Sequence, residues 1–144
     1  MVNSLTIKNV HAGYGAVRVI EDVSMDVDSG KTVVLLGTNG NGKSTLIKCI
    51  MGLCRPSEGS ITAEIDGQKH ELVGKSVEEI VDLGIALVPE GRRLFPRLTV
   101  EENLLLGAFR QKARAQLKPN LEFCFETFPR LAERKSQLAG SMSG

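Results

Sequence analysis

Apolar and polar residues change period several times along this chain, and each change marks an element. Leu5-Thr-Ile-Lys-Asn-Val10 alternates apolar with polar, as a half-buried strand does. Gly13-Tyr14-Gly15 breaks it, period-two patterning resumes over Val19-Ile20 and Val23–Val27, and Asp28-Ser-Gly30 predicts a turn. Thr32-Val-Val-Leu-Leu36 is a continuous apolar run instead, the pattern of a strand covered on both faces. From Ser44 to Met51 the apolar residues fall at helical spacing, and Gly52 stands where a helix can end.

The second half carries more helix signals. Ser60–Ile65 reads as a strand closed by Asp66-Gly67. Ser76-Val-Glu-Glu79 fits a capping box and opens a short helix over Val77–Leu83, with Val77, Ile80 and Val81 on one face and Gly84 as its stop. Ile85–Val88 is a second buried-type strand, ended by Pro89. Thr99-Val-Glu-Glu102 repeats the capping box and predicts a helix through about Phe109, with Leu104, Leu105 and Ala108 among its apolar positions. Residues 111–119 read as a polar surface connection. Leu121, Cys124, Phe125 and Phe128 then form the stripe of an amphipathic helix stopped by Pro129, expected to be ordinary core. Leu131–Gln137 predicts at most another helical turn, and nothing regular is expected from Leu138 on.

Between the apolar run at 32–36 and the helix that follows lies Gly37-Thr-Asn-Gly-Asn-Gly-Lys-Ser-Thr45, which fits G-x-x-x-x-G-K-[ST]. Glycines let the backbone turn sharply and approach an anion, so that consecutive N–H groups point inward as a nest. A helix N-terminus adds unpaired N–H groups and a positive dipole end. Lys43 is then placed to reach the β/γ-phosphates, the Ser44 hydroxyl to sit on Mg²⁺, and Thr45 to start the helix. A glycine turn that merely caps a helix would look similar, but strand, loop and helix in this order favour a nucleoside-triphosphate site.

Composition narrows the alternatives. At 144 residues and 42% hydrophobic content, the chain has the material for one domain with a core. A net charge of +1 and 4% aromatic residues argue against nucleic-acid binding, because neither a basic field nor a stacking platform is present. No apolar run approaches a membrane span and no secretory h-region opens the chain. Cys49, Cys54 and Cys124 are odd in number and lack metal-ligand spacing, so reduced packing residues in a cytoplasmic protein are expected.

Two loop residues stay open on chemistry alone. Tyr14, the sole tyrosine, could lie flat on an adenine ring or pack edgewise on the sheet. Glu90, just after the run at 85–88, could meet Mg²⁺ or its waters or be a solvated loop charge. Arg92 and Arg93 are expected to face solvent or another subunit.

Taken together, Leu36–Leu46, Leu87-Val-Pro-Glu-Gly-Arg-Arg-Leu-Phe95, Leu98–Gly107 and Phe128-Pro-Arg-Leu131 resemble the ATP-binding subunits of ABC transporters over the whole chain. The shorter ATPase subunit of branched-chain amino acid importers is the nearest type. The resemblance implies an α/β P-loop NTPase with an N-terminal antiparallel β-subdomain and part of a helical subdomain, the C-terminal part of the RecA-like core being missing. Residues 1–97 would be the β-rich and P-loop part, and 98–144 the helical subdomain up to the start of the signature motif. It assigns Gly37, Thr38, Asn39, Gly40, Asn41, Gly42, Lys43, Ser44 and Thr45 to ATP, Tyr14 to the adenine, and Ser44 and Glu90 to Mg²⁺. Glu90 stands where most of the superfamily has a glutamine, a departure shared with the branched-chain amino acid subgroup; related urea-importer subunits tend to keep the glutamine. Ser143 and Gly144, after Met142, resemble the start of the signature that binds the ATP held by a partner subunit.

The implied role is to couple ATP binding and hydrolysis to import of branched-chain amino acids. The subunit would pair with a second ABC ATPase subunit and with transmembrane permease subunits, at the cytoplasmic face of the inner membrane without entering it. The Walker B aspartate, catalytic glutamate and switch histidine of the family are not among these residues, so no general base is named. The alternative is therefore a truncated nucleotide-binding fragment without ATPase activity. Another P-loop class, a nucleotide kinase or GTPase, fits less well, because residues 5–27 precede the loop and no D-x-x-G segment follows it.

Overall fold

The computed structural model describes residues 3–91 and 93–142, with backbone only at 111 and 112. Residues up to Val88 form one compact unit and those from Pro89 a second.

The first unit is built on four antiparallel strands. β1 (Ser4–Tyr14) and β2 (Val17–Val27) form a hairpin, with Tyr14 opposite Val17 and Leu5 opposite Val27. The turn falls at Gly15 (φ 59), so Gly13 and Tyr14 still belong to the strand. β3 (Glu58–Ile65) pairs with the other edge of β1, Ile7 opposite Ile61, and β4 (Gln68–Glu71) pairs with β3. The order is β2-β1-β3-β4, the expected N-terminal antiparallel sheet.

A register shift in β1 explains its burial. Strict alternation from Ile7 would bury Asn9, yet Ile7, Val10 and Ala12 are the buried residues. Asn9 takes φ 47, its amide donates to Ser24 Oγ at 2.8 Å, and its side chain donates to Asp22 at 2.7 Å. This bulge returns Val10 to the core face.

Helix α1 (Lys43–Ile50) packs Leu46 and Cys49 onto that face beside Ile7, Ile20 and Ile61. It ends in a Schellman turn: Leu53 N–H donates to the Lys48 carbonyl at 2.8 Å, Gly52 N–H to the Cys49 carbonyl at 3.2 Å, and Gly52 has φ 72. Helix α2 (Val77–Asp82) contributes Ile80, fully buried, and the expected Ser76–Glu79 capping box is formed.

Two sequence expectations fail in this unit. Residues 32–36 and 85–88 are not strands. Leu35 and Ile85 lean on the core, but Leu36 is 88% and Val88 91% exposed. A strand exists by its ladder, and no other segment among the described residues hydrogen-bonds to either run as a strand. Strand β4 went unread because Gln68-Lys-His-Glu71 has no apolar member to alternate.

The second unit is helical. Its loop and C-terminal residues are laced together, Val100 N–H to Gln137 O, Ala139 N–H to Leu98 O and Gly140 N–H to Pro96 O, with Thr99 bridged to Leu138. Residues 138–141 thus form a bridge and a short 3₁₀ turn (Ala139–Ser141), contrary to expectation. Helix α3 (Val100–Leu106) starts at the Thr99–Glu102 capping box and stops at Gly107, short of Phe109. The supposed surface connection holds α4 (Gln111–Ala115) and the start of α5 (Leu117–Thr127); Pro119 is tolerated because it lies in the first turn of α5. Pro129 opens α6 (Pro129–Glu133). The α5 stripe is not full core: Leu121, Cys124 and Phe125 are half-buried and Phe128 is exposed. No helix among the described residues is long and apolar enough to cross a membrane.

Candidate functional site

The loop from Gly37 to Gly42 runs exposed until its last glycine, which is buried. Gly42 is the N-cap of α1, in the left-handed region at φ 76, and no side chain caps the helix. A β-carbon there would meet Cγ2 of Ile20 and, at 3.1 Å, the Val19 carbonyl. Glycine at this position seats the loop against β2 and starts the helix at Lys43, two residues earlier than Thr45. Thr45 is buried and Ser44 is exposed in the first turn.

Lys43 bends back over the loop. Its ammonium donates to the Gly37 and Thr38 carbonyls, both at 2.7 Å. Two of its three donors are used to hold the head in place, and one remains. Asn41 N–H closes the loop onto the Thr38 carbonyl at 3.4 Å, and Gly40 takes φ 90. Of residues 37–45, these contacts tie Gly37, Thr38, Asn41 and Lys43 to one another.

The N-terminus of α1 differs from those of α2 and α3, while α4, α5 and α6 are likewise without a capping side chain or a first-turn acid. In α2 and α3 a Ser or Thr oxygen accepts an N–H of the first turn, and acidic residues fill that turn. The Ser76 backbone N–H holds the Glu79 carboxyl below its ordinary range, and the Thr99 N–H does the same for Glu102. Helix α1 has neither a capping side chain nor an acid in its first turn. Its N-terminus keeps the positive end of its dipole and free donors for an anion. A triphosphate fits this donor set, and Mg²⁺ fits the exposed Ser44 hydroxyl, since that ion takes one or two protein oxygens and completes its shell from phosphates and water.

Tyr14 ends β1 and is 49% exposed. The Lys48 ammonium donates to its hydroxyl at 3.4 Å and lies 5.6 Å from the ring centre. Lys48 is a residue that sequence reasoning missed; the contact spans 34 positions, and no local pattern signals it.

Glu90 belongs to the second unit, exposed, with its backbone carbonyl accepting from Arg93 Nε at 3.4 Å. Arg93 is exposed, as expected. Arg92, Ser143 and Gly144 lie outside the described residues. Cys49, Cys54 and Cys124 are free thiols; burial, with Cys54 alongside, pushes Cys49 up to about 12, which keeps it an unreactive packing group.

Known proteins match this chain closely. Residues 20–144 match the ABC transporter family. The chain is 44% identical over 97% of its length to the high-affinity branched-chain amino acid transport ATP-binding protein BraG of Pseudomonas aeruginosa, covering 58% of that protein. It is 37% identical over 79% of its length to the ribose import ATP-binding protein RbsA of Chromobacterium violaceum, covering 24% of it. A solved ATP-binding subunit of an ABC transporter superposes with a TM-score of 0.72 at 34% identity, covering 96% of this chain and 55% of that one. The chain therefore spans little more than half the length of BraG and of that structure.

Proposed function

We propose, from the premise that this chain belongs to the ABC transporter family, that it binds MgATP through residues 37–45 and serves an importer of branched-chain amino acids. The observation that carries the nucleotide reading is the Lys43 head, held over its loop by two carbonyls beside a helix N-terminus with no competing cap. Phosphate oxygens would take the remaining Lys43 donor and the first-turn N–H groups. Ser44 would give its hydroxyl oxygen to Mg²⁺, and Tyr14 would offer a ring face to the adenine. Glu90 is proposed to meet the ion or its waters, and Ser143 with Gly144 the ATP of a partner subunit. Bound MgATP supplies the phosphoryl group whose transfer to water would drive the transport cycle.

The amino-acid assignment rests on BraG, which matches nearly the whole chain at higher identity than the ribose-import protein does. For the partners, the second unit holds a groove of about 450 Å³ lined mainly by Leu98, Leu105, Leu106, Phe109 and Leu117, with the charged Glu102 and Arg114 also in its walls. A largely apolar groove with two charges suits an amphipathic helix of a permease subunit, which would place the chain at the inner face of the membrane. Co-expression with a branched-chain amino acid permease lacking its own shorter ATPase subunit tests the assignment. Leucine uptake restored there, with no ribose uptake when a ribose permease is tested in parallel, supports it, and ribose uptake without leucine uptake opposes it.

A second reading has an observation of its own. Leu36 and Val88 stand almost fully exposed on runs patterned for buried strands, which fits a nucleotide-binding fragment, and on this reading the polypeptide would bind ATP without turning it over. Phosphate release from ATP by the purified chain at rates usual for ABC ATPases would refute that reading.

A further inference from the structure

Tyr14 and Lys48 come from opposite ends of the first unit's nucleotide region, the last residue of β1 and the last turn of α1. The Lys48 ammonium is 3.4 Å from the phenol oxygen but 5.6 Å from the ring centre. It therefore sits off the hydroxyl end of the ring and not over its middle. A cation in that place fixes the direction of the ring while leaving its surface open, and Tyr14 is half exposed.

Both anchors are themselves held. The Lys48 carbonyl accepts Leu53 N–H at 2.8 Å and Cys54 N–H at 3.2 Å in the turn that ends α1. The Cys54 thiol then donates to the carbonyl of Gly13, the residue before Tyr14, at 3.8 Å. Gly13 has no room for a β-carbon against the Val17 carbonyl. The backbone on each side of the contact is pinned, so the lysine acts on the ring's orientation and not on the course of the chain.

We infer that Lys48 is a positioning residue for the base of the nucleotide, holding the Tyr14 ring by its hydroxyl so that one face is presented to the adenine. This deepens the nucleotide reading and rests on it. A lysine that served only to complement the C-terminal end of the α1 dipole would stabilise the helix and have no effect on base recognition.

A double-mutant cycle separates these roles in the 144-residue chain, with ATP and inorganic tripolyphosphate as the two ligands. Lys48→Met keeps the aliphatic stem and removes the donor; Tyr14→Phe keeps the ring and removes the acceptor. Lys48→Met is expected to weaken ATP binding about threefold, the size of one exposed hydrogen bond, and to leave tripolyphosphate binding unchanged. In the Tyr14→Phe background the same change should have no further effect on ATP. Tyr14 is the sole tyrosine and there is no tryptophan, so ultraviolet tyrosine emission reports this one ring, and Lys48→Met should alter it before any ligand is added. Equal losses for ATP and tripolyphosphate would overturn the inference by making Lys48 a phosphate contact. A full effect of Lys48→Met in Tyr14→Phe would overturn it as well. ATP affinity unchanged in Tyr14→Ala would remove the stacking reading beneath it, and wild-type chain that binds neither ligand would remove the phosphate-loop reading.

Discussion

A β-carbon on Gly42 would fall onto Cγ2 of Ile20, so the last glycine of the phosphate loop and a core residue of β2 share one tight contact. The loop is thereby registered against the antiparallel sheet, and the start of α1 follows from it. Gly40, in the same loop, is left-handed too but meets nothing within 4 Å.

This pair gives a graded prediction. Gly40→Ala meets only the backbone penalty for the left-handed region, about 1 kcal/mol. Gly42→Ala adds an overpacked contact and should cost about 2–4 kcal/mol in all. Urea unfolding of both variants checks the order, and equal losses would contradict it.

The capping boxes predict a pH dependence. Glu79 and Glu102 are held below their ordinary range by the N–H groups of Ser76 and Thr99. A carboxyl with a depressed folded value stabilises fully above its unfolded value, about pH 4.3, and loses that contribution as pH falls through the folded one. Helicity should thus drop on acidification below that range, and Glu79→Gln with Glu102→Gln should flatten the profile. Circular dichroism against pH reads both; an unchanged slope in the double variant would count against the account.

Asn103 predicts a local stability effect in the second unit. Its Oδ1 accepts Phe95 N–H at 2.9 Å, and its Nδ2 donates to the Phe95 and Thr99 carbonyls at 3.1 and 2.9 Å. Asn103→Leu strands those groups and should cost about 1–3 kcal/mol. Hydrogen exchange at Phe95 should speed up, while exchange at Ile61 in the first unit should not.

The exposed apolar runs predict self-association. Val34→Thr with Val88→Thr reduces apolar area at two exposed positions. The concentration dependence of light scattering should weaken in that variant, with the urea midpoint unchanged. Scattering identical to the parent would show that these runs are not the sticky surface.

What was legible in the sequence was what acts locally. Ser76 with Glu79, Thr99 with Glu102, Gly52 after α1 and the glycine loop each state their role within a few residues. Residues 32–36 and 85–88 misled because a continuous apolar run implies neighbours on both sides, and that condition is not in the run itself. Helix α4 and the first turn of α5 hid in a polar stretch, since Pro119 reads as a breaker unless its first-turn position is known. Asn103, the Asn9 bulge and the Tyr14–Lys48 contact depend on partners brought in by folding.

The central claim is that the Lys43 head, fixed by the Gly37 and Thr38 carbonyls, completes a triphosphate cradle. Equilibrium binding of MgATP to the chain and to Lys43→Ala tests it most directly, with unfolding curves to show that both are folded. The account predicts saturable binding by the parent and a loss of at least about a hundredfold in the variant, the size of one strong charge-assisted contact removed. Equal affinities in two equally stable proteins would contradict it.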